Sequence, residues 1–287
     1  MSDDYQRLLA ATIDHLEILK GHGTNYVTVD LATLASFNQP VRFAPAAAQT
    51  EIRNTPATEN VSSPVQPEIA TVIPEISKAT PEKQAAITEL KSRAMACEQC
   101  PNLAVSRKNV VFGVGDLESP LMFVGEAPGA DEDEQGEPFV GKAGELLTKI
   151  IQTMGFSRET IYIANVLKCR PDMPEGTAGN RKPTVDEMKT CLPYLLEQID
   201  IIKPRVIVAL GATAVEGLFG KPQPITKLRG NWQTFRNTPV MPTFHPAYLL
   251  RNQALSEKRK VWEDMLQVLE KLNAPISEKQ RGFFLKS

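Results

Sequence analysis

The sequence has no apolar run approaching the roughly 20 residues of a membrane-spanning helix, so a membrane role is not expected. The first twenty residues lack the apolar core expected of a secretory leader. Asp3, Asp4, Arg7, Asp14, Glu17 and Lys20 stand there instead, which makes cytoplasm the expected address. A basic excess is missing too: 32 Lys and Arg face 34 Asp and Glu, for a formal net charge of −2. The balance gives no general support for nucleic-acid binding, and any such site has to be a local basic patch. Cysteines number four and histidines three. In a reducing compartment four cysteines point to metal or redox chemistry before disulfides.

Aromatics are scarce between Gln39 and Pro81, where Phe43 stands alone among Pro, Thr, Ala, Val and Glu. A segment of that composition cannot bury enough apolar surface to fold, so residues 39–80 read as a flexible linker. Ahead of it, residues 1–38 hold an amphipathic helical segment with Leu8, Leu9, Ile13, Leu16 and Leu19 on one face. That face could dock on a protein partner or on the chain's own domain. Residues 81–273 form the single folded domain, with 274–287 as a C-terminal tail.

Within the domain, short apolar runs alternate with helical periods, the signature of parallel α/β units. Candidate strands are Leu121–Gly125, Ile161–Leu167, Val206–Leu210 and Val240–Phe244. Candidate helices are Ala143–Met154, Val185–Ile202, Ala212–Phe219 and Ser256–Leu272. The expected fold is α/β, a three-layer α/β/α sandwich around a central four-stranded, mainly parallel sheet. Ligands of such sheets bind beyond the carboxyl ends of the strands, so Glu126, Lys168, Gly211 and His245 become the positions to watch.

G-E-A-P-G (Gly125–Gly129) closes the first strand with a tight turn that presents Glu126 and the backbone of Gly125 and Ala127 to the crevice. It lacks the Lys-Ser/Thr ending of a phosphate loop, and the acidic run Asp131–Glu134 would repel phosphate. P-F-V-G-K-A-G (Pro138–Gly144) sets Phe139 before a helix, where its ring serves either the core or stacking on a base. N-V-L-K-C-R-P (Asn165–Pro171) ends the second strand on an amide that needs partners for its donor and its acceptor, which a pyrimidine edge would supply. H-P-A-Y-L-L-R opens with His245 directly after the fourth strand, the position expected of a ligand-facing imidazole. Cys97 and Cys100 are spaced C-x2-C, with Cys169 and Cys191 far downstream. A four-thiolate site assembled across the fold suits zinc or a [4Fe–4S] cluster, and spacing leaves the choice open.

Taken in order with the four cysteines, these motifs closely resemble the family 4 uracil-DNA glycosylases over roughly Cys97 to Leu272. The resemblance implies excision of uracil from single- and double-stranded DNA by hydrolysis of the N-glycosidic bond, as the first step of base-excision repair, by a monomeric enzyme. It implies that Cys97, Cys100, Cys169 and Cys191 bind a [4Fe–4S] cluster. It also implies that Glu126 orients water and offsets charge on the sugar, and that His245 donates to the departing uracil oxygen. Phe139 would stack on uracil, Asn165 would read its Watson–Crick edge, and Glu132 would lie close to the base. Leu249, Leu250 and Arg251 would form the loop that wedges into the duplex. Arg170, Arg181 and Lys182 are the candidate phosphate contacts beside Arg251. A related branch carries an Arg-Arg-Ile-His loop that traps DNA covalently, where this sequence has Asn180, Arg181, Lys182 and Pro183. Another branch replaces the Glu126 equivalent.

Two rival functions stand beside this one. G-V-G (Gly113–Gly115) prompts a nucleotide-binding enzyme, but it does not complete G-x-G-x-x-G at a strand-to-helix turn. A noncatalytic metal-dependent DNA-binding module would need the cysteines and dispense with Glu126 and His245.

Overall fold

The computed structural model describes residues 79–285 except 175 and 178. The expected N-terminal segment and all but the last two linker residues lie outside the described residues.

Six strands form one sheet: β1 (Val114–Gly115), β2 (Leu121–Gly125), β3 (Tyr162–Asn165), β4 (Val206–Leu210), β5 (Gln233–Phe235) and β6 (Thr238–Thr243). Their order is β1-β3-β2-β4-β6-β5. The central four are parallel, and β1 and β5 close the edges antiparallel. The expected four-stranded sheet is therefore the core of a six-stranded one. Both edge strands are too short to show a period in sequence. The β5–β6 hairpin turns through Arg236 and Asn237, both at positive φ (46° and 69°), the backbone that a tight hairpin demands. That pairing draws β6 back to Thr238, two residues before the expected start.

The central strands are continuous apolar runs because both faces are covered. Successive side chains alternate across the sheet. Leu121 and Phe123 enter one core beneath α4 (Lys142–Thr153) and α9 (Leu255–Leu272), while Met122 and Val124 enter the other beneath α5 (Val185–Ile202) and α6 (Ala212–Phe219). The three-layer α/β/α sandwich is thus observed. α5 starts where Thr184 and Glu187 cap each other's backbone N–H groups, a Thr-x-x-Glu box. It ends on Lys203 in the left-handed region, before Pro204. β3 stops at Asn165, short of the expected Leu167, yet Val166 and Leu167 still donate to the carbonyls of Gly125 and Glu126. These bonds bind the two chemistry-bearing strand ends to each other.

Residues 274–285 do not hang free of the domain. Trp262 of α9 donates to the Gln280 carbonyl at 2.6 Å, Gln280 donates to the Thr153 carbonyl at 2.8 Å, and Phe283 meets the Trp262 ring edge-on at 5.5 Å. Cutting the chain after Pro275 should uncover Trp262 and lower unfolding free energy by about 2 kcal/mol, the worth of one buried aromatic face. Chemical denaturation checks this, and an unchanged midpoint would show that the tail does not support the core.

Candidate active site

The chain departs to opposite sides of β2, toward β3 on one and β4 on the other, and a crevice opens at such a switch point. A cavity of about 140 Å³ lies there, lined by Ala127, Gly129, Glu132, Phe139, Ala143, Asn165, Asn180, His245 and Ala247. Pockets for drug-sized ligands run to about 300–1,000 Å³, so this one suits a single small ring. Sequence reading brought five of these residues forward as site candidates: Ala127, Glu132, Phe139, Asn165 and His245.

Asn165, at the last position of β3, is 2% exposed, and its buried Oδ1 has no hydrogen-bond partner among the described residues. A buried acceptor left open costs about 1–3 kcal/mol. Opposite it on β2, Gly125 leaves the room: a Cβ there would lie 2.5 Å from Phe139 Cζ and would overlap Asn165 Oδ1.

Phe139 is buried in the core beneath α4, the first of its two sequence readings, and it also lines the cavity. Its backbone is left-handed (φ 56°), a strained state for an aromatic residue. Two contacts sustain it. Arg158 donates to the carbonyls of Pro138 (2.7 Å) and Phe139 (3.1 Å), and Gly144 admits the Phe139 carbonyl where a Cβ would overlap it. Arg158 lies in a turn without motif character, so sequence offered no signal for it.

His245 caps α8 (Pro246–Arg251), its Nδ1 accepting from the Ala247 N–H at 3.1 Å. A neutral ring in that position carries its proton on Nε2. Burial, with the Arg251 charge adding, lowers its pKa to about 4. The ring is thus a neutral donor at physiological pH, tilted 31° to Phe139 at 5.6 Å between centroids.

Glu126 follows β2 beside the cavity and is not among its lining residues. Burial raises its pKa above the ordinary carboxylate value, the Thr213 hydroxyl and Lys182 oppose that rise, and Glu216 adds to it. Lys182 itself pairs with Glu216 at 2.5 Å. Glu132 lines the cavity, but its oxygens accept from the N–H groups of Gly129, Val140 and Gly141 at 3.0–3.1 Å. It is a clamp on two loops. Asn180 lines the cavity as an exposed amide; the sequence marks it only by its place opposite the Arg-Arg-Ile-His loop of a related branch.

The expected DNA-contacting residues divide. Leu250 (39% exposed) and Arg251 face solvent, whereas Leu249 is buried with Phe244 and Val261. Neighbours on a helix point about 100° apart, so α8 turns Leu249 into the core and it cannot wedge into a duplex. Arg181 is also excluded as a phosphate contact. All five of its N–H donors are taken by Asp172, the Lys182 carbonyl and Glu187. Arg170 donates to the Gly179 carbonyl at 3.0 Å while its buried Nε has no partner among the described residues. Lys168, expected at the crevice, is 1% exposed and points into the protein.

The four cysteines lie around α2 (Pro101–Ser106), the loop after β3, and α5, and none is in a disulfide. Cys100, Cys169 and Cys191 pack in one cluster, and Cys97 acts electrostatically on each of them. The Lys168 N–H donates to Cys191 Sγ at 3.2 Å and Arg107 donates to Cys169 Sγ at 3.2 Å. Donors aimed at sulfur are what bound thiolates require. Among the described residues no three ligand-type side chains converge closely enough to hold a single ion.

The family model of the uracil DNA glycosylase superfamily matches residues 112–266. A type-4 uracil-DNA glycosylase of Thermotoga maritima is 48% identical over 61% of this chain and 89% of its own length. One from Sulfurisphaera tokodaii is 40% identical over 65% and 84%. A type-5 uracil-DNA glycosylase of Pyrobaculum aerophilum is 28% identical over 43% and 65%. The chain belongs to the uracil DNA glycosylase superfamily, and within it to the type-4 branch.

Because His245 is held neutral with its proton on Nε2, nitrogen NMR should find this ring uncharged from pH 8 to about pH 5 and protonating only near pH 4. A titration centred on its ordinary value of 6.5 would remove the neutral-donor assignment.

Proposed function

We propose that this chain excises uracil from DNA by hydrolysing the N-glycosidic bond of a flipped-out deoxyuridine, the opening step in repair of deaminated cytosine. The observation that carries this reading is the partnerless Oδ1 of Asn165 on a cavity sized for one ring. Uracil offers a donor at N3 and an acceptor at O4, which one amide satisfies with its C=O and NH2. Cytosine offers the reverse pattern and would leave both mispaired in a desolvated pocket.

Extruding the nucleotide costs a few kcal/mol, less in a single strand, so both strand states are substrates. Phe139 stacks on the extruded base. As the bond between C1′ and N1 breaks, its electron pair passes to the base, and the neutral His245 donates from Nε2 to O2 as negative charge grows there. Glu126 faces the positive charge growing on the sugar. Water adds at C1′ and gives up one proton, the uracil anion takes one up, and the products are an abasic sugar and free uracil. One carboxylate suffices because the uracil anion is a tolerable leaving group, unlike the alkoxide of an O-glycoside. Leu250 and Arg251 meet the duplex from α8. A noncatalytic module would have no use for this donor and acceptor set around an open cavity.

Cys97, Cys100, Cys169 and Cys191 would hold an iron–sulfur cluster, the group that the resemblance to the family 4 enzymes implies and that a set of four thiolates accepts. The group would supply a cross-link joining α2, the loop after β3 and α5.

Asn165→Asp should lower kcat/KM on uracil-containing oligonucleotides by about 10- to 100-fold through one mispaired buried group, and it should admit some cytosine. An unchanged uracil rate in matched kinetics would take Asn165 out of base recognition. The anaerobically purified protein should be brown and contain iron and acid-labile sulfide, with Cys169→Ala losing colour and soluble yield. A colourless protein carrying one zinc would overturn the cluster.

A further inference from the structure

Lys168 is the largest charged side chain in the fully buried core, and neither the proposed chemistry nor DNA contact uses it. Its Nζ donates to the Asn165 carbonyl at 2.9 Å and to Gln198 Oε1 at 2.6 Å. Gln198 in turn donates to the Phe112 carbonyl at 2.9 Å and to the Tyr162 hydroxyl at 3.0 Å. The ammonium also stands 5.9 Å from the centroid of the Phe112 ring. At the other end of the same residue, the backbone N–H donates to Cys191 Sγ at 3.2 Å.

Burying an ammonium is costly where a methionine would fill the same space, and no carboxylate pairs with this one among the described residues. Its two hydrogen bonds are specific in where they land. One holds the main chain of the residue whose amide faces the cavity, and the other holds a side chain of α5, the helix that carries Cys191. One turn of chain thus joins the open acceptor of Asn165 to the thiol group on the opposite side of β3.

We propose that Lys168 is a positioning residue that tethers the base-reading end of β3 to the thiol site, so that Asn165 is aimed by the integrity of that site. The proposal rests on the readings of Asn165 as base reader and of the four cysteines as metal ligands. Lys168 touches no substrate and acts only through Asn165.

The test is the affinity of the full-length protein for free uracil, measured by calorimetry, together with iron retained per chain after exposure to a chelator. Lys168→Met should weaken uracil binding by about tenfold, the worth of one charged hydrogen bond. It should cost nothing further in an Asn165→Ala background, because both changes remove the same interaction. It should also release iron faster than the parent, while affinity for abasic-site DNA stays unchanged. Additive losses with Asn165→Ala, unchanged uracil affinity, or iron retention equal to the parent's would each overturn the tether. Should Lys168→Met fail to fold, Gln198→Leu removes the second acceptor of the same ammonium and is read by the same two measurements. A parent that binds uracil but carries no iron would remove the thiol half of the proposal. A parent that binds no uracil would instead remove the function beneath it.

Discussion

At Gly125 the chain has no side chain, and the neighbouring Asn165 amide and Phe139 ring occupy the space that a Cβ would need. That steric constraint sets the distance between the polar and the aromatic wall of the cavity. It is relayed outward, because Phe139 holds its left-handed backbone only where Gly144 gives way to its carbonyl and Arg158 binds two successive carbonyls. The loop between β2 and α4 is therefore shaped by two missing methyl groups and one guanidinium. Glu132 completes it by drawing Gly129 toward Val140 and Gly141.

Electrostatics in this crevice run against what water would favour. His245 is kept from ionising, and Glu126 is made harder to ionise. Both effects arise from the desolvation that makes each remaining dipole stronger. The folded state bears the cost, including an amide oxygen with no partner, because residues shaped for a ligand are not at their own optimum without it. The surrounding sheet, apolar on both faces, offsets that cost.

Much of this was legible in sequence. β2, β4, α5 and α6 begin and end where apolar runs, a Thr-x-x-Glu cap and flanking glycines place them. The motifs at the strand ends led to Asn165 and His245 because parallel sheets gather such ends on one side, and the loop motif ahead of α4 led to Phe139. What stayed hidden depends on direction rather than order. Leu249 and Leu250 are equivalent in composition, and only the helix register of α8 turns one inward. Lys168 reads as a crevice residue and Arg181 as a phosphate contact, yet one is enclosed by β3 and α5 and the other is bound by Asp172 and Glu187. The edge strands β1 and β5 owe their existence to pairing with β3 and β6, which no local pattern announces.

The Arg181 cluster has a consequence for how this protein can change. Asp172 accepts from both Arg181 and Asn102, and Arg181 is held in turn by Glu187 at the start of α5. The two ends of the stretch between them are thereby fastened together at its base. Lengthening a loop that is already closed adds only about 0.6 kcal/mol per doubling. Insertions and deletions between residues 172 and 181 are thus buffered from both Cys169 and the α5 cap. This stretch can therefore change in length while the thiol site and the start of α5 keep their places.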